Sequence, residues 1–119
     1  MQATSIPVRA RSRVRVDRRA TIRLSRGLRV VVHVVDLSIG SIGIIYSAPA
    51  EVGAKLEIEM GLPVDGNLVA LKLSGEVLHS HLKGSNYYSV LKLSNQADHE
   101  RDVISRFIRS REMHRRSNA

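Results

Sequence analysis

The 119-residue sequence has no cysteine and no tryptophan, with one phenylalanine, three tyrosines and three prolines. Without thiols the chain cannot build a disulfide scaffold, a thiolate zinc site, an iron–sulfur ligation set or a cysteine nucleophile. Long apolar runs are also missing. Stretches such as Val30–Val32 and Val34–Val35 around His33 fall far short of the roughly 20 residues that cross a bilayer, so no membrane span is expected. No apolar segment of the secretory type follows the first methionine, and with the lack of cysteine this points to a cytoplasmic location. Acids are scarce at both ends. Residues 1–35 carry nine arginines against Asp17 alone, and residues 101–119 carry six arginines against Asp102 and Glu112. The body between them carries four lysines against eight acids. A protein that coats nucleic acid would spread its positive charge over the fold, whereas here it sits on two ends of a mildly acidic body.

What is present suits one soluble domain. Hydrophobic residues make up 43% and charged residues 25% of the chain, enough apolar surface to collapse around a single core. Short β-branched or alternating runs recur: Thr21–Leu24, Leu28–Val35, Ile42–Tyr46, Lys55–Met60, Leu68–Leu73, Glu76–His81 and Tyr87–Leu93. Ser25, Arg26 and Gly27 separate the first two as a hairpin turn, and Asp65-Gly66 is the strongest two-residue turn signal in the chain. The period changes after Asn95, which can cap a helix. Val103, Ile104, Phe107 and Ile108 then form an apolar stripe at helical spacing. Short antiparallel strands followed by one amphipathic helix predict a small β-barrel with the helix packed on it.

Two places carry candidate chemistry. From Val8 to Val16 arginine occupies every second position (Arg9, Arg11, Arg13, Arg15), and in an extended chain these share one face. All basic residues before Lys55 are arginines, whose planar fork grips phosphate or a guanine edge and stacks on rings. At the end of the long strand the sequence reads Asp36-Leu37-Ser38-Ile39-Gly40-Ser41-Ile42-Gly43, an acid and a hydroxyl two apart beside glycines that permit tight curvature. Taken alone, that segment also reads as an ordinary turn in which Asp36 and Ser38 bond nearby backbone amides. His79 and His81 share a strand face but have no further ligands beside them, so no metal site is expected. His33, His99 and His114 are scattered, and no nucleophile-and-base pair or phosphate-cradling glycine loop is visible. The chain does not read as an enzyme.

Taken together, the two segments resemble the PilZ domain family, whose hallmark is an RxxxR motif followed by [D/N]xSxxG. Arg9 and Arg13 in "RARSR" match the first; Asp36 and Ser38 in "DLSIGS" match the second, with 22 residues between Arg13 and Asp36. "RVRVDRRATIRL", "GEVLHS", "YYSVLKL" and the helix after Asp98 are similar to the family's strands and terminal helix, over most of residues 8–110. The motif's final glycine falls on Ser41, between Gly40 and Gly43. Were a left-handed backbone required there, serine would cost about 1–2 kcal/mol. Arg11 and Arg15, Arg15 and Arg19, and Arg19 and Arg23 also satisfy RxxxR. The resemblance implies a mainly β fold: a six-stranded antiparallel barrel with one C-terminal α-helix and a flexible basic N-terminal arm. It divides the chain into a flexible terminus (1–7), the domain (8–110) and a basic tail (111–119). It also implies a receptor for the bacterial second messenger cyclic di-GMP, with Arg9, Arg13, Asp36, Ser38 and Ser41 as ligand contacts, Arg11, Gly40 and Gly43 as further ones, no other cofactor, and a protein partner that reads the bound state. Arginine can meet guanine O6 and N7 or a phosphate, while guanine's N–H edge suits a carboxylate acceptor. Two other readings stay open: a basic nucleic-acid-binding barrel, which charge favours but the shortage of stacking rings opposes, and a PilZ-fold interaction module in which Ser41 disables ligand binding.

Overall fold

The period-two alternation is realised in six strands: β1 (Val14–Arg23), β2 (Arg29–Leu37), β3 (Ser41–Tyr46), β4 (Lys55–Val64), β5 (Asn67–Lys83) and β6 (Asn86–Ser94). One helix, α1 (Asp98–Ser117), ends the chain. The computed structural model describes residues 13–24, 27–94 and 97–117. Every pairing is antiparallel, in the order β1-β2-β3-β6-β5-β4, and β4 pairs back onto β1 to close a barrel. Closure gives β1 a partner on each side, and no part of Ala20–Arg23 is left as an open edge.

β1 starts at Val14, where the resemblance of "RVRVDRRATIRL" places a first strand, and runs on through the β-branched stretch from Thr21. Val14 and Val16 are buried, while the alternating Arg15 and Asp17 face solvent, so the end of the arginine run is itself barrel wall. The expected strands Leu68–Leu73 and Glu76–His81 are one 17-residue strand, β5. The glycine between them does not mark a turn. Gly75 points inward in phase with Leu71, Leu73 and Val77, and a Cβ there would lie 3.2 Å from the Leu91 Cβ and 3.4 Å from the Lys92 carbonyl. The close approach of β5 to β6 leaves little room for a side chain there. The Asp65-Gly66 turn does form, with φ of 52° and 82°, as a two-residue hairpin of the primed type demands. Ser25 and Arg26 lie outside the described residues; the strands flanking them pair as a hairpin.

Asn95 also lies outside the described residues. The helix is capped instead at Ala97, whose carbonyl accepts from Arg101 N–H (3.1 Å) and whose N–H donates to Glu100 Oε1 (3.1 Å), half of a capping box. Val103, Ile104, Phe107 and Ile108 bury the apolar stripe of α1 against β4, β5 and β1 and join the barrel interior in one core. Beyond residue 110 the helix continues, so residues 111–117 of the basic tail are its last turns. No helix among the described residues is long and apolar enough to cross a membrane.

Phe107→Ala is expected to lower unfolding free energy by about 3–5 kcal/mol in urea titrations, through lost burial and the cavity left behind. Val52→Ala, at a side chain 66% exposed, should stay within about 0.5 kcal/mol. Equal effects of the two would contradict a core shared by helix and barrel.

Candidate functional site

Asp36 reaches the outer surface because β2 changes phase just before it. Val32 and Val34 point into the core; continued alternation would bury Asp36 as well. Instead the register with β3 shifts between Val34↔Ile44 and Asp36↔Gly43, with Val35 as the extra residue. The bulge turns Leu37 fully inward and Asp36 outward. The chain then leaves β2 through Ser38-Ile39-Gly40 and returns at Ser41. Ser38 N–H donates to the Ser41 carbonyl (2.8 Å), and Ser41 N–H donates to Ser38 Oγ (3.0 Å). The Ser38 and Ser41 hydroxyls are 2.9 Å apart, and Ser38 is buried among them. Gly40 is fixed through its carbonyl, which accepts from Leu93 N–H at 2.9 Å.

Arg13, immediately before β1, lies across this turn. Its guanidinium donates from one nitrogen to Asp36 Oδ1 and from the other to Ser41 Oγ. Asp36 and Ser38 do not bond each other; they are linked through Arg13 and Ser41. Arg9 and Arg11 lie outside the described residues. Ser41 replaces the glycine of the motif without backbone strain, since the only non-glycine residue with positive φ among the described residues is Asp65. Its hydroxyl is part of the hydrogen-bonded cluster, accepting from Arg13 and lying beside the Ser38 hydroxyl.

The second oxygen of Asp36 is held by a residue that sequence reasoning passed over. Tyr88, on the outer face of β6, donates its hydroxyl to Asp36 Oδ2 at 2.7 Å. To do so it must cross β3, and Gly43 is where it crosses. A Cβ at Gly43 would lie 2.7 Å from the Tyr88 hydroxyl and 2.8 Å from the Asp36 carboxyl carbon. The absent side chain is therefore a passage between two strands that do not touch in the sheet order. Burial raises the Tyr88 phenol above its ordinary pKa of 10.0; its hydrogen bond to Asp36 and that carboxylate's charge push the same way, against a lowering by Arg13. Around the ring stand His81, edge-on at 5.6 Å between centroids, and Lys83, whose Nζ is 5.4 Å from the ring centre. His79 and His81 stack at 5.8 Å, as their shared face predicts, and no group of three or more metal-ligating side chains exists among the described residues. Tyr88 shares the outer face of β6 with Val90 and Lys92, but nothing in the sequence says that β6 lies one strand away from Asp36.

A separate cavity of about 540 Å³ lies at the other end of β1 and β2, lined by apolar side chains such as Ile22, Leu24, Val30 and Leu56. It has no part in this cluster.

The sequence profile of the PilZ domain matches residues 7–110. No curated protein matches the chain by sequence. Among solved structures it is similar to the inhibitor of motility MotI/DgrA of Bacillus subtilis (14% identity, TM-score 0.79, covering 87% of this chain and 51% of that one). It is also similar to YcgR of Escherichia coli in complex with c-di-GMP (16% identity, TM-score 0.75, 90% and 47% covered). A third is MrkH of K. pneumonia in its apo state (15% identity, TM-score 0.76, 100% and 56% covered). The chain thus spans about half the length of these three proteins.

The Asp36–Tyr88 link has a spectroscopic consequence. The neutral phenol is favoured in the folded state, so its contribution to stability is complete below pH 10.0 and is lost as pH rises through the higher folded-state value. In an alkaline titration followed by tyrosinate absorbance, one of the three tyrosines should ionise late, and Asp36→Asn should bring that step back towards 10.0. A late step unmoved by the substitution would show that Asp36 does not hold the phenol.

Proposed function

Since the chain belongs to the PilZ domain family, we propose that it is a receptor for cyclic di-GMP, and that it passes the bound state to a protein partner as a change of conformation. The observation that carries this reading is the meeting of Arg13 with Asp36 and Ser41, side chains 23 and 28 positions apart, in one hydrogen-bonded cluster on the barrel's outer face. YcgR, which shares the fold, is described in complex with this ligand both as a longer chain and as a PilZ domain.

The cluster has the donors and acceptors that a guanine nucleotide needs. Guanine presents N–H donors on one edge, suited to the Asp36 carboxylate, and the O6 and N7 acceptors on the other, suited to an arginine fork. Ser38 and Ser41 offer hydroxyls for the remaining polar atoms. In the free protein Asp36 Oδ1 already accepts from Arg13 and Oδ2 from Tyr88. Binding is then an exchange: guanine N–H groups take the place of guanidinium N–H groups on the carboxylate, and Arg13 turns to a phosphate or the far edge of the base. Arg13 and Asp36 are each partly open to solvent, so their mutual attraction is modest and a doubly charged ligand can compete for the arginine. In this reading Arg9, four residues earlier in the sequence, is the second guanidinium of RxxxR, and Arg11, Gly40 and Gly43 are further contacts. Movement of this segment on exchange is the signal that a partner reads.

Calorimetric titration with cyclic di-GMP, with GTP as control, tests the reading. Saturable binding of the cyclic dinucleotide is expected, lost by roughly 100-fold or more in Arg13→Ala and Asp36→Ala, since each removes charge-assisted bonds to the ligand. Both variants should remain cooperatively folded. Affinity unchanged in both, or equal affinity for GTP, would overturn the assignment. Absence of any binding by the unaltered protein would instead favour an interaction module of the same fold.

A further inference from the structure

Next to the cluster, the outer face continues into a cleft of about 460 Å³. Arg15 on β1 stands on one side, His81, Leu82 and Lys83 on β5 on the other, and Asp36 and Tyr88 lie between them. The β5 side chains are present because β5 also changes phase. Its register with β6 shifts between Val77↔Leu91 and His79↔Val90, so odd-numbered residues that point inward up to Val77 point outward from His79 to Lys83. The result is a row of two histidines and a lysine beside Tyr88, facing an arginine across the width of β2, β3 and β6.

The cleft has positive charge to spare. Arg15 and Lys83 are exposed, and among the described residues neither has a carboxylate within ion-pair distance. The one acid in the lining, Asp36, has Arg13 on one oxygen and Tyr88 on the other. Lys83 rests over the Tyr88 ring, and an exposed contact of that kind is weaker than a charge-assisted bond to a phosphate oxygen. A ligand phosphate can therefore draw Lys83 off the ring, which also frees an aromatic face beside the apolar Leu82 and Val35.

The geometry points to a second anion subsite here, in which Lys83 and Arg15 take the phosphodiester of a cyclic dinucleotide that lies away from Asp36, over a platform formed by Tyr88. The subsite rests on the receptor reading above and extends it from the motif residues to the β5–β6 hairpin, which the motifs do not include.

Cyclic di-GMP titrations of the unaltered chain, Lys83→Met, Lys83→Arg, Arg15→Gln and Lys72→Met test it. Lys72 is an exposed lysine on the same strand, outside the cleft, and controls for the loss of a positive charge. Lys83→Met and Arg15→Gln should each weaken binding roughly tenfold, Lys83→Arg should keep most of the affinity, and Lys72→Met should stay within about twofold. Binding by Lys83→Met and Arg15→Gln indistinguishable from Lys72→Met, with Asp36→Ala still inactive, would overturn the subsite and leave the receptor reading standing. No binding by the unaltered chain would overturn both.

Discussion

A single extra residue at Val35 reverses the inside–outside phase of β2, and the outer-face chemistry follows from it. Val34 and Leu37 are both fully buried, which uninterrupted alternation cannot achieve at a spacing of three. With the bulge, the core keeps both side chains and the carboxylate of Asp36 avoids the interior, where an unpaired charge would be prohibitive. The same device at Leu78 in β5 turns His79, His81 and Lys83 outward. The two bulges lie on strands that are not neighbours, yet both place polar side chains around Tyr88. Local irregularity, not regular sheet, sets up the site.

Barrel closure supplies the rest. β1 is held by β4 at Ala20–Arg23 and by β2 as far as Val14, which pairs with Leu37 and is buried, and this sets where Arg13 begins. The Ser38–Ser41 turn is tied to itself and, through Gly40, to Leu93 on β6. Arg13 therefore bridges two rigid anchors with one flexible side chain. Gly43 is the counterpart of this arrangement on the sheet surface: a gap in the side-chain layer through which Tyr88 reaches Asp36. Four segments of chain converge on one carboxylate.

Much of this was legible in the sequence, for identifiable reasons. Strand alternation in Lys55–Met60, the Asp65-Gly66 turn and the apolar stripe on α1 are local signals, and local physics decides them. Arg13, Asp36 and Ser38 stand out because their residue types and spacing match a motif. What could not be read is whatever depends on strand order or on phase. Gly75 looks like a break because glycine weakens strands, yet its role is to let Leu91 approach. Tyr88 looks like one more strand aromatic until β6 is placed beside β3. Ser41 looks like a defect in the motif, since neither its backbone angle nor its bond to Arg13 is visible in a string of letters.

The great length of β5 has one more effect. β4 accompanies it only as far as Glu76, Gly53 and Ala54 bond the Val77 backbone, and Ala50 N–H donates to the Ser80 hydroxyl; beyond Val77, among the described residues, only β6 pairs with its backbone. The last third of β5 is thus a one-sided margin, with backbone groups that a foreign strand could in principle zip onto. Its irregular start at Leu78 and its terminal Lys83 make it a poor template for such self-association. The phase change that turns His79, His81 and Lys83 outward thus also keeps neighbouring molecules from stacking edge to edge.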